Sequence, residues 1–310
     1  MIVPIPVADY RPNAMFTLLH YPFIQNAFMA GSLVAIVAGV LGYFLILRGL
    51  TFAGHALSSI GFAGAAGAVL LGIPPVYGLL AFTMGASLFI SSSSGEARGR
   101  DIAIGVIMTF ALGLGVLFLS LYHGFAEQAY SILFGSIVGI SRGDLSLATV
   151  LAVGILVVLA SLGRPLLFST FDPDGAEARG LPVRLLGMVY LILVALAVSL
   201  AMQLVGVLLV FGLLVGPPAT AIRLVGRPSH AIIVSVGLGL AYTWAGILLA
   251  AWSGWPVSFL ITAISFGLYL PVRLRGSRRS RCRMGAARAL PSVRTASSRC
   301  SQQVIDDHTD

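Results

Sequence analysis

The chain has 310 residues, of which 58% are hydrophobic and only 10% charged, with 19 basic residues against 11 acidic ones and a formal net charge of +8. That balance excludes a soluble globule and describes a polytopic membrane protein. Every basic residue is arginine, and the excess lies mostly in loops and the C-terminal tail, so it reads as membrane topology before nucleic-acid binding.

The N-terminal MIVPIPVADYRPN has no basic stretch followed by a short apolar core and a small-residue cleavage site, so no removable signal peptide is expected. A crossing helix needs about 20 mostly apolar residues, and about nine windows meet that test, approximately 24–47, 53–72, 75–93, 102–122, 145–163, 185–203, 205–224, 231–252 and 257–272. The expected fold is all-α: eight to nine spans plus one short re-entrant or interfacial helix. Residues 1–20 form a short outer segment, 21–272 the transmembrane domain and 273–310 a tail. The uncharged stretches 185–222 and 231–272 are each too long for one crossing. Their turns are expected at Gln203 with Gly206 and at the SGWP of Ser253 to Pro256.

The second span, with the approach to it, reads LRGLTFAGHALSSIGFAGAAGAVLLG. It sets His55 at the start of an uncharged, Gly- and Ala-rich segment, with Ser59 one helical turn further on the same face. An ionisable group in a span is costly and by default marks a polar route; a packed, satisfied histidine is the alternative. The GFAGAAGA that follows lets neighbouring helices approach closely. Imidazole suits zinc and similar transition metals, although one histidine and a hydroxyl fall far short of the four ligands of a structural zinc site. Weak ligation suits conduction, and in a two-fold dimer His55 and its mate would supply two nitrogens.

Between the fourth and fifth spans, AEQAYSILFGSIVGIS (126–141) has an apolar part too short to cross and is read as an outer interfacial or re-entrant helix. The stretch RPLLFSTFDPDGAEARGLPVR (164–184) is the sizeable polar interruption of the C-terminal half. Asp172 and Pro173 are turn formers, 175–179 is expected to form a short helix, and Gly180 with Pro182 closes it. Composition leaves two readings open, a partner-docking segment or a solvated connector. Trp244, Trp252 and Trp255 gather around the last outer turn, where an interfacial belt is expected and ordinary packing is the alternative. From Arg273 the composition turns to Arg, Ser, Ala and Gly, too polar to fold alone and suited to anionic headgroups. It lacks the aromatic interleaving of a single-strand nucleic-acid binder. Cys282 and Cys300, both in that tail, imply no disulfide framework.

Arginine asymmetry orients the chain with its N-terminus outside and C-terminus inside. Inner loops then receive Arg48, Arg98, Arg100, Arg164, Arg179, Arg184, Arg223 and Arg227, and only Arg11 and Arg142 stay outside. Zinc-protease, nucleophile-elbow and phosphate-loop motifs are all missing, which weighs against an enzyme. His20, His123, His230 and His308, with Glu127 and Asp144, read as surface groups.

Several ordered blocks carry a family resemblance: YPFIQNAF from Tyr21, GVLGYFLILRGLTFAGHALSS, DIAIGVIMTFALGLGVL from Asp101, SILFGSIVGIS from Ser131, FDPDGAEARGLPV from Phe171 and QLVGVLLVFGLLVGPPATA from Gln203. Over roughly 21–272 the chain resembles the permeases of zinc, manganese and iron ABC importers, type II in architecture. The resemblance implies a permease dimer, a homodimer by preference, in a bacterial plasma membrane. It also implies two cytosolic ATPase subunits that bind ATP, an extracellular or periplasmic metal-binding protein, and no cofactor on this chain. It turns the 164–184 stretch into an ATPase-docking segment, with Asp172, Asp174, Glu177 and Arg179 as candidate contacts. The family's second helix usually carries D-A-x-S-H; here His55 stands at the acid position and Ser59 at the histidine position, so both are candidate ligands on the ion route. Loss of the carboxylate removes a hard oxygen ligand and tilts the expected cargo from manganese toward zinc. A metal-chelate permease or a secondary transporter are the competing readings; the latter would want carboxylates within the spans.

Overall fold

The computed structural model describes residues 22–92, 97–122 and 142–288, and every regular element there is an α-helix. In chain order they are α1 (Pro22–Leu47), α2 (Thr51–Leu70), α3 (Pro75–Ser92), α4 (Ala97–Leu121), α5 (Arg142–Phe171), α6 (Pro173–Ala178), α7 (Val183–Val205), α8 (Val207–Leu224), α9 (Pro228–Ser253) and α10 (Val257–Arg288). Among the described residues eight helices are long and apolar enough to cross a membrane, and α8 adds a shorter apolar run, Leu209–Leu224. The nine expected windows thus each fall on a helix.

Both long uncharged stretches fold back where expected. Gly206, at φ 84°, separates α7 from α8, and Gly254, at φ 70°, closes α9 before α10. Another turn, between α1 and α2, is a Schellman motif: the Gly49 amide donates to the Ile46 carbonyl at 3.1 Å and the Leu50 amide to Leu45 at 2.9 Å. Gly49 sits at φ 66°, a left-handed conformation that costs glycine nothing and an L side chain about 1 kcal/mol or more.

The helix α2 lies at the centre. Its span is 89% buried, against 17% for that of α4 and 22% for that of α5. It packs against α3, α4, α7 and α8, while α1 packs against α8, α9, α5 and α7. The small residues of α2 make this possible. A Cβ at Gly64 would strike the Gly78 carbonyl oxygen of α3, and one at Gly78 would strike that of Gly64, so the two backbones meet directly.

Two expectations change. The fifth helix does not stop at Gly163 but continues to Phe171 through Pro165, because Leu166 and Ser169 remain buried and so keep the extra turns packed. Likewise α10 runs on to Arg288, past the expected start of an unfolded tail at Arg273. Arg, Met and Ala are good helix formers, so local propensity favours continuing the helix through this stretch. The chain divides at this point into two units, residues 1–269 and 270–310. The expected outer helix at 126–141, along with His20, His123, Glu127, Cys300 and His308, lies outside the described residues.

Candidate ion route and docking segment

The first turns of α2 hold both expected route residues. Ser59 is buried, and its hydroxyl donates to the His55 carbonyl one turn back at 3.1 Å, which leaves its lone pairs as acceptors. His55 is half-buried, and its ring lies against Phe211 of α8, centroids 4.7 Å apart at 57°. Its Nδ1 is buried with no hydrogen-bond partner. A buried ring nitrogen without a partner is costly, and a hydrogen-bond partner or a metal ion supplied at that atom would relieve it. Among the described residues no three His, Cys, Asp or Glu side chains gather into a metal-binding cluster. One chain therefore offers a cation His55 and neutral oxygens, a weak and reversible site.

The docking candidates form a separate set. Asp172 caps α6, its carboxylate accepting from the Gly175 amide at 3.0 Å, and Pro173 presets the first turn; this starts the helix two residues earlier than the expected 175. Ala176 is fully buried, whereas Asp172, Asp174, Glu177 and Arg179 are exposed. Arg179 folds back so that its guanidinium lies 4.9 Å from the Phe168 ring centroid of α5. Phe171, 63% exposed, stands at the junction between α5 and α6. Over residues 171–179 a short capped helix anchored by one buried alanine thus exposes three acids, an arginine and an aromatic ring.

Three residues of consequence escaped sequence reasoning. Phe211 had no signal, because only the packing of α8 on α2 brings it to His55. Phe171 lay inside the quoted docking stretch without being singled out. In the sequence Arg48 is one topology charge among several. Half-buried where α1 turns into α2, it donates from Nε to Thr170 Oγ1 at 3.0 Å and from a terminal nitrogen to Ser169 Oγ at 2.7 Å. Its guanidinium carbon also lies 5.5 Å from the Tyr190 ring centroid. Burial pulls this guanidinium below the usual arginine pKa, with the Tyr190 hydroxyl acting in the opposite sense, and arginine stays charged regardless.

The sequence matches the ABC 3 transport family over residues 20–275. It is 34% identical over 231 residues to the manganese transport system membrane protein MntC of Halalkalibacterium halodurans, covering 74% of this chain and 79% of that one. It is 32% identical over 233 residues to the manganese import system permease protein ScaB of Streptococcus parasanguinis, covering 75% and 83%. The fold is similar to that of PsaBC from Streptococcus pneumoniae, solved in complex with Fab, at TM-score 0.75 and 27% identity over 84% of this chain and 94% of that one. The chain belongs to the ABC 3 transport family, as a multi-pass membrane permease that leaves ATP hydrolysis to a separate subunit.

Proposed function

We propose that this permease is the membrane subunit of an importer carrying a divalent transition-metal ion, manganese first, into a bacterial cytoplasm. The observation that carries the choice of ion is the 34% identity to a manganese transport membrane protein over 74% of the chain. The earlier tilt toward zinc rested on the missing carboxylate at position 55, and the named relatives do not support it. Zinc stays as the second reading because a bare imidazole favours a softer ion than a carboxylate does.

In this reading His55 is a ligand on the route, with Ser59 contributing its lone pairs. The ion must be held weakly enough to leave, which suits few ligands. Two permease copies would bring a second His55. The segment that carries Asp172, Asp174, Glu177 and Arg179, with Phe171 at its start, receives one of two ATPase subunits, and a metal-binding protein delivers the ion from outside. That orientation puts the turn at Arg48 and α6 in the cytoplasm.

The test is uptake of radiolabelled manganese into proteoliposomes holding the permease, its partner ATPase and its binding protein, with zinc as competitor. Manganese uptake requiring ATP and lost in His55→Ala is the expected result. Uptake unchanged in His55→Ala would remove His55 from the route. Uptake of zinc in preference to manganese would overturn the choice of ion.

A further inference from the structure

Arg48 joins the segment read as the ATPase dock to the helix that carries His55. The guanidinium takes its hydrogen-bond partners from the last turn of α5, which runs into α6 with no linker: Asp172, whose amide donates to the Phe168 carbonyl at 3.0 Å, also caps α6. Both hydroxyls have spent their own protons on the Leu166 carbonyl, Ser169 at 3.1 Å and Thr170 at 2.6 Å, so their lone pairs are free to receive Arg48. The positive charge also sits at the carbonyl end of α5, where the helix dipole is negative and no basic residue of α5 itself lies in the last turn.

On its other side Arg48 is rigidly tied to α2. It is the residue between the end of α1 and Gly49 of the Schellman turn, and α2 begins at Thr51. His55 lies about 6 Å up α2 from that first residue. A third element fixes the level: Tyr190 of α7 offers its ring face to the guanidinium, and its hydroxyl donates to the Leu41 carbonyl of α1 at 2.8 Å. The cation thus touches two helices, α5 and α7, while its own backbone belongs to the turn that opens α2, so only that short hydrogen-bonded turn lies between dock and route.

We propose that Arg48 is a positioning residue for energy coupling, a strut that passes displacement of α6 to the start of α2. The proposal rests on the importer reading. A merely structural arginine would be replaceable wherever the fold survives. A strut needs its two-point grip on Ser169 and Thr170 held in fixed geometry, which the planar guanidinium fork supplies and a freely rotating ammonium on a shorter stem does not.

The experiment uses the reconstituted complex and reads manganese ions transported per ATP hydrolysed. Variants are Arg48→Lys, Arg48→Met and the pair Ser169→Ala with Thr170→Val, each checked for folding and for ATPase association by co-purification. Assembled Arg48→Met and the hydroxyl pair are expected to hydrolyse ATP while the ratio falls about tenfold, as expected where charge-assisted hydrogen bonds are lost. Arg48→Lys should fall between these and wild type. An assembled Arg48→Met complex with the wild-type ratio would overturn the strut. Should Arg48→Met fail to assemble, the hydroxyl pair decides, and a wild-type ratio there overturns it equally. Absence of ATP-driven uptake in the wild-type complex would instead overturn the importer reading.

Discussion

Replacing Gly64 by alanine tests whether α2, the helix that carries His55, meets α3 backbone to backbone. The added methyl would strike the Gly78 carbonyl oxygen and lie 2.8 Å from both the Gly78 carbonyl carbon and the Phe82 Cβ. Ordinary contact begins near 3.4 Å, and backbone atoms cannot rotate out of the way, so the helices themselves must separate. Overpacking of this kind costs about 1–3 kcal/mol, and the immobile neighbour argues for the upper end. Alanine's better helix propensity offsets about 1 kcal/mol of that. The net expectation is a loss of about 2 kcal/mol, roughly 30-fold in the folded-to-unfolded ratio. Gly85→Ala, on α3 but with nothing within 4 Å, is the control and should be neutral or stabilising. Unfolding in detergent followed by circular dichroism reads both. Equal stability of the two variants would refute the close-contact reasoning, whatever their absolute values.

Two further perturbations separate satisfied from structural hydroxyls and capping from charge. Thr83 of α3 and Ser199 of α7 are buried with their hydroxyl oxygens 2.7 Å apart, and each also has an acceptor carbonyl in its own helix, Leu79 at 2.7 Å and Ala195 at 2.9 Å. Ser199 keeps the Ala195 carbonyl for its proton, so Thr83→Val leaves Ser199 a partner and should cost only about 0.6 kcal/mol in the same unfolding assay. A loss above about 2 kcal/mol would mean that Ser199 is orphaned after all. Asp172→Ala should remove about 1 kcal/mol from α6 by uncapping it, seen as roughly fivefold faster hydrogen exchange at the Ala176 amide, which donates to the Asp172 backbone carbonyl at 3.1 Å. Unchanged exchange there would show that the buried Ala176, not the cap, holds the short helix.

Residue order alone settled the all-helical membrane architecture, since an apolar run of crossing length has few other ways to satisfy its backbone. It also located the turn glycines Gly206 and Gly254, because an uncharged run longer than the bilayer must reverse where a glycine allows it. His55 and Ser59 stood out for a similar reason, as polar groups in an apolar segment. What remained invisible depended on which helices become neighbours. Gly64 meets Gly78, Phe211 meets the His55 ring and Arg48 reaches Ser169 and Thr170 only after the bundle closes. The helix that outran its expected end at Gly163 shows the same limit. Local composition reports whether a residue can leave a helix, whereas burial at Leu166 decides whether it does. Crossing segments are encoded one at a time, but a route and its linkage to a dock are properties of contacts between them, with residues 48 and 170 more than 120 positions apart.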